Sequence, residues 1–178
     1  MSAQGSASYE EVFMFSHRQP AAVSPFVTLT TVSGAKISAS PGHYLWIYSS
    51  SKTKTGPMQP ARAQDIKIGD CLATLNTADQ PAERSCVISK TMTMQKGLYN
   101  PHTASGSIVV DGIGALTFTD TLPPSPAVHR LVTAPGQLAY WLLKVAGGSG
   151  LADAVNNVLL SLYFSCQDLA WVAVVSGK

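Results

Sequence analysis

The sequence predicts a mainly β domain with internal pseudo-symmetry, followed by a C-terminal appendage of two helices. Three observations carry this. Residues 9–119 hold short β-branched and aromatic runs separated by Gly, Ser, Asn and Asp turns. A segment then echoes itself at an offset of 72, where Thr31-Val32-Ser33-Gly34-Ala35-Lys36-Ile37 lines up with Thr103-Ala104-Ser105-Gly106-Ser107-Ile108-Val109 and Gly42 falls on Gly114. Such an echo fits a duplicated β unit, each half a hairpin with a corner. After Asp120 the apolar positions change from strand to helix spacing.

In order, residues 1–8 are small and polar and are expected to fray. Residues 9–15 (YEEVFMF) read as a strand entering the core, ended by Ser16-His17-Arg18-Gln19-Pro20, with a loop to Pro25. Strands are expected at 26–31 and 35–39 around a Ser33-Gly34 turn, and Ser40-Pro41-Gly42 bends the chain into an aromatic strand at 44–48. Residues 49–61 are polar with Gly and Pro and read as an exposed loop. Residues 65–72 read as a tight turn feeding a short strand, with a hairpin tip at 76–83 and a strand at 86–94. Tyr99-Asn100-Pro101 is expected to open a loop, and residues 107–110 form a strand ending at Asp111-Gly112.

This divides the chain into residues 9–120 as the β domain, 121–130 as a Pro-rich linker and 131–178 as the helical appendage. The first helix takes Leu131, Leu138, Trp141, Leu142 and Val145 as its apolar side, and Gly147-Gly148-Ser149-Gly150 breaks it. The second, over 151–171, carries Leu151, Val155, Val158, Leu159, Leu162 and Tyr163. Both could pack on the β body, pair with each other or lie on a membrane surface; core packing is the default, with peripheral membrane contact through 131–175 as the alternative. The second has no Lys or Arg, which argues against anionic lipid.

Composition narrows the function. The chain has 178 residues, 46% hydrophobic and 12% charged, with a net charge of +2. That balance, with no basic stripe, excludes a nucleic-acid reader. Cys71, Cys86 and Cys166 lack CxxC spacing and suggest neither a zinc knuckle nor a disulfide framework. His102 and His129 lack further ligands at useful spacing, so no metal is expected, and no cofactor motif is present. No signal peptide and no spanning run is read in these residues, which leaves the compartment open.

The chemistry concentrates at Ser40 and His43. An imidazole at a sheet corner, backed by a packed scaffold, can be tuned to donate or accept a proton near neutrality. A lone histidine after Pro-Gly is more often structural, so the surrounding pattern matters. Tyr9-Glu10-Glu11-Val12-Phe13-Met14-Phe15-Ser16-His17-Arg18, then Phe26-Val27 with Leu29, Ser40-Pro41-Gly42-His43, Tyr99-Asn100-Pro101-His102-Thr103 and Gly106-Ser107-Ile108-Val109-Val110-Asp111 follow in turn. Together, over about residues 8–119, these blocks resemble the hedgehog-type Hint domain.

The resemblance implies an intein-like Hint fold and protein autoprocessing. In that family a cysteine opening the domain attacks the preceding carbonyl in an N-to-S acyl shift, and the thioester passes to a sterol hydroxyl, a thiol or water. The substrate is the domain's own upstream polypeptide. The family's Thr-x-x-His motif falls on Ser40 and His43, and His17 stands where animal hedgehog domains carry an Asp implicated in activating the sterol. His17 is therefore either a general base or a polar strand end. Thr117 replaces a family cysteine and reads as a strand residue. If the whole protein follows the family, the secretory pathway or the cell exterior is its place.

The resemblance begins after the family's nucleophilic cysteine and its strands, and all three cysteines lie downstream of the corner. The chain as written is therefore expected to be an N-terminally truncated Hint domain, inactive in cis and prone to aggregate through open sheet edges. Half of a split module, or a non-catalytic binding or membrane-associated remnant, are the alternatives.

Overall fold

The computed structural model describes residues 9–48, 57–75, 82–121 and 125–145. Eight strands and one helix follow in order: β1 (Val12–Thr31), β2 (Lys36–Ala39), β3 (His43–Tyr48), β4 (Met58–Arg62), β5 (Cys71–Thr74), β6 (Glu83–Thr103), β7 (Ser107–Val110), β8 (Ile113–Thr119) and α1 (Pro126–Val145). The strands form one sheet path, β2-β1-β6-β5-β3-β8-β7, with β4 beside β3 and a further β5–β8 pairing. All the pairings are antiparallel. The mainly β class read from the sequence is the class observed.

The two longest strands correct the sequence reading. β1 does not stop at Ser16–Pro20, and β6 does not open into a loop at Tyr99; each runs through those residues and they pair with one another. Register shifts at Phe15/His17 and Gln19/Val23 absorb the irregular residues, including Pro20. Since β2 meets β1 only from Val27 to Thr30, Pro20 and Pro25 lie where one side of β1 is an edge, and proline is tolerated there. Long-range pairing outweighed local turn chemistry.

Two shorter corrections follow. Residues 58–61, the end of the stretch read as loop, join Arg62 in β4 on the β3 edge, with Pro60 opposite Trp46. Cys71 and Cys86 stand directly opposite across β5–β6 and form a disulfide, where no disulfide was expected. Their strands are adjacent only because a turn folds residues 65–70 back, with Asp70 Oδ2 accepting the Lys67 N–H at 2.8 Å. The disulfide closes a loop of sequence separation 15, which is worth about 3 kcal/mol in a chain-entropy account. Reduction is expected to lower the unfolding free energy by about 2–3 kcal/mol in a urea titration; identical midpoints with and without reductant would contradict it.

The internal echo is a structural repeat. Thr31 and Thr103 each end a long strand, and each hydroxyl donates to the carbonyl four residues on, Ala35 at 3.2 Å and Ser107 at 2.8 Å. Gly34 and Gly106 each donate N–H to the matching threonine carbonyl and hold φ of 85° and 77°. β2 and β7 are thus equivalent short strands after equivalent turns, and they occupy the two ends of the sheet path.

The main core gathers Val27, Leu29, Ile37, Leu45, Leu72, Val87 and Ile113. α1 follows Ser125, whose carbonyl takes the His129 N–H at 3.0 Å. It starts inside the stretch read as linker. Its docked side also differs from the expected one: His129 and Thr133 are buried, whereas Leu131, Leu138, Trp141, Leu142 and Val145 are exposed. The apolar stripe is not what packs α1 on the β body. The docked face meets Met14 beside Gly136 and Phe13 through Tyr140, with Lys144 Nζ 2.6 Å from Glu11. α1 is not long and apolar enough to cross a membrane. The second predicted helix and residues 1–8 lie outside the described residues, as does most of the 76–83 tip.

Candidate active site

The Pro-Gly bend places Ser40 at the end of β2 and His43 at the start of β3. His43 N–H donates to the Ser40 carbonyl at 3.0 Å, closing a tight turn. Gly42 is required there by contact: a Cβ would lie against the Asp120 carboxylate. Asp120 N–H in turn donates to the Gly42 carbonyl at 2.9 Å, tying the end of β8 to the corner.

Ser40 and His43 line the same pocket of about 110 Å³. Phe26, Ile37, Ile108 and Leu116 supply apolar wall, and Tyr99 and Asn100 bring polar groups. Among the described residues, no Asp, Glu, Lys or Arg lines it. Burial pushes the His43 pKa down, partly offset by a hydrogen bond to the Leu116 backbone that favours the protonated ring. The ring is therefore neutral at neutral pH, with one nitrogen oriented by the Leu116 backbone, and a neutral imidazole has a second nitrogen able to take a proton.

His17 is not among the pocket-lining residues. It stands opposite Asn100 in the β1–β6 ladder, and burial lowers its pKa as well. Asn100 is the link between the two, since it also lines the pocket and its Nδ2 donates to Ser16 Oγ at 2.7 Å.

The sequence reading passed over the other two histidines. His102 is 2% exposed and stacks on His129 with ring centroids 5.4 Å apart and planes at 12°. Its pKa falls to about 3, first through burial and then through the positive charge His129, His43 and His17 would carry. All four histidines of the chain therefore converge on one region, His102 lying within electrostatic reach of the other three. Burial and Arg130 bring His129 to about 4. Thr117 is more than a strand residue, because its buried hydroxyl sits 3.2 Å from His129 Nε2. Among the described residues no group of His, Cys, Asp and Glu is arranged to hold a metal ion. Asn100 and His102, two apart in a strand, share a face; that periodicity was hidden by reading the segment as a loop.

Gly106 seats this cluster. A Cβ there would lie 2.8 Å from His129 Cδ2, and φ of 77° is unfavourable for any L side chain. Gly106→Ala is expected to cost about 1–3 kcal/mol and to loosen α1. Thermal unfolding together with protease cutting near residue 130 would test it, and an unchanged variant would mean that His129 is not held against this turn.

The Hint module family matches residues 1–152. This chain belongs to the Hint module family. Warthog protein 1 of Caenorhabditis elegans is 30% identical over 89% of this chain and 29% of its own length. Protein hedgehog of Drosophila virilis is 31% identical over 80% of this chain and 28% of its own. The Hint chain described here thus spans less than a third of either relative. A KlbA intein precursor from Methanococcus jannaschii has a solved structure with a TM-score of 0.47, at 18% identity over 59% of this chain and 55% of its own. The hedgehog-type Hint resemblance read from the blocks at Tyr9, Ser40 and Tyr99 is borne out.

Proposed function

We propose that this Hint domain promotes autoprocessing of polypeptide joined or presented to it, through a thioester. The observation that carries the reading is the shared pocket of Ser40 and His43, with His43 neutral and its ring anchored on the Leu116 backbone. A neutral imidazole can take the proton of an attacking thiol. The thiolate sulfur then bonds to the scissile carbonyl carbon, and as the C–N bond breaks the imidazolium returns that proton to the departing amine. Ser40 contributes a hydroxyl to position the scissile peptide.

In the second step an acceptor hydroxyl, thiol or water attacks the thioester carbon and the sulfur leaves. His17, neutral for the same reason as His43, is assigned the acceptor's proton. A sterol is one acceptor of this class. Cys71 and Cys86 are tied to each other and Cys166 lies well downstream, so the attacking thiol is assigned to polypeptide beyond residues 1–178.

The test is a fusion in which a reporter and a short linker containing cysteine precede Met1. Incubation with dithiothreitol should release the reporter with a mass corresponding to cleavage just before that cysteine. A fusion that stays intact under every thiol and pH tried, while folded by circular dichroism, would sink the proposal.

A further inference from the structure

We propose that the His102–His129 stack is a proton-operated latch, which holds α1 on the β body at neutral pH and lets α1 leave at mildly acid pH while the sheet stays folded. Neither histidine has a part in the chemistry assigned to Ser40, His43 and His17, so the latch does not depend on that assignment.

The stack has no place for an added proton. Asn100 Nδ2 is a donor and lies 3.5 Å from His102 Nε2, so that nitrogen accepts and the ring carries its proton on Nδ1. A second proton on His102 would set N–H against N–H. His129 Nε2 faces the Thr117 hydroxyl at 3.2 Å, while Nδ1 of both rings is buried with no hydrogen-bond partner. A charged His129 would therefore hold a buried N–H that nothing accepts. The two rings lie 5.4 Å apart with planes at 12°, so two imidazoliums would also meet face to face.

The surrounding charges give no relief. His17 on β1 and His43 on β3 raise the cost of a charge on His102, and Arg130 on α1 does so for His129. The nearby carboxylates are engaged elsewhere: Glu11 with Lys144, Glu10 with the Ser105 N–H, and Asp120 with Arg62. β8 brings Thr117 and Phe118 to His129, and neither titrates in this range. The lowered pKa values of both rings agree with this geometry.

α1 is the element that leaves first, because little else holds it. The main core contains no residue of α1, and Leu131, Leu138 and Leu142 face solvent. His129 is its anchor, stacked on both His102 and Phe118. Beyond that α1 keeps Tyr140 against Phe13, Gly136 beside Met14, and the exposed Lys144–Glu11 pair. The sheet has the main core, the long β1–β6 ladder and the Cys71–Cys86 disulfide. Once undocked, a 20-residue helix with Pro135 inside it does not persist in water, so its amides open to solvent.

Amide hydrogen exchange on the labelled full chain reads this directly, as protection factors that divide out the intrinsic pH dependence. The window is pH 6 to 5, where Glu11 is still ionised. If both rings reach their ordinary pKa of 6.5 when α1 leaves, protection over Gln137 to Lys144 should fall about 50-fold across that unit. Leu29, flanked by β2 and β6, should stay at least about tenfold better protected than α1 throughout. His129→Gln should reduce the fall to about eightfold, the share of one proton, and His102→Gln should do the same. Lys144→Met, which removes only the exposed ion pair, should lower α1 protection about two- to fivefold at both pH values and leave the fall unchanged. The latch is overturned if α1 protection is the same at pH 6 and 5, or if α1 and Leu29 share one protection factor at each pH. It is equally overturned if Lys144→Met flattens the fall as much as the histidine variants do.

Discussion

His43→Ala is expected to slow thiol-induced cleavage of the cysteine fusion about 100- to 10,000-fold, the usual worth of a positioned acid–base group. The size follows from both halves of its task. Without it the thiol has no neutral base in the pocket, and the amide nitrogen must leave without a proton from His43. The fold should survive, because His43 is only partly buried and the corner is held by backbone bonds from Gln64, Ala63 and Asp120. Ser40→Ala should cost less, about tenfold, since it removes one neutral hydrogen bond. His17→Ala should let the thioester form and delay its transfer, so that intermediate accumulates on a mass spectrum. Wild-type cleavage by His43→Ala would remove the imidazole from the mechanism, and a similar loss at both steps in His17→Ala would make that residue structural.

The second large effect is acid lability. In the fold His102 titrates near 3 and His129 near 4, against 6.5 for an ordinary histidine. Both are neutral in the folded state, while the unfolded chain takes up protons as pH falls through 6.5. Their contribution is thus intact above about pH 6.5 and is lost progressively as pH drops toward 4 and then 3. His17 and His43, also lowered by burial, act in the same direction. Two groups binding one extra proton each on unfolding imply a slope of about 2–3 kcal/mol per pH unit between 6 and 4.5. Urea midpoints should fall steeply over that window, and His129→Gln, which removes one titrating group from the stack, should flatten the fall. A midpoint constant from pH 7.5 to 4.5 would show that the cluster is open to water.

How much was readable in advance differs from segment to segment. The repeat at Thr31 and Thr103 was visible as an echo because each turn needs the same short string: a threonine to cap the strand, a serine and a left-handed glycine. The Ser40-Pro41-Gly42-His43 corner was visible for a similar local reason, a turn joining two β-rich runs. The strand at 107–110 and its Asp111-Gly112 turn were also where composition put them, with φ positive at both turn residues.

The misreadings share a different cause. Pro20, Asn100 and Pro101 carry turn chemistry, but each lies on a strand whose partner is about 80 residues away in the chain, and ladder bonds with buried side chains outweigh a local preference. The Cys71–Cys86 pair depended on the β5–β6 register, which no spacing rule reveals. α1 was expected by periodicity, yet its docking face is a histidine and a threonine because Gly106 leaves a socket that an aliphatic stripe does not fill.

By itself, then, the sequence determined what is encoded within a few neighbouring residues: the β class, the repeated turns, the bend between Ser40 and His43 and the family blocks that mark a Hint domain. Only the tertiary structure decided which distant residues meet. It drew four scattered histidines together, tied Cys71 to Cys86, turned the polar face of α1 inward and brought residues of β2 and β7 to one pocket. The physical reason is that pairing register and burial are properties of contacts between segments far apart in the chain, and local propensity carries no record of which partner will arrive.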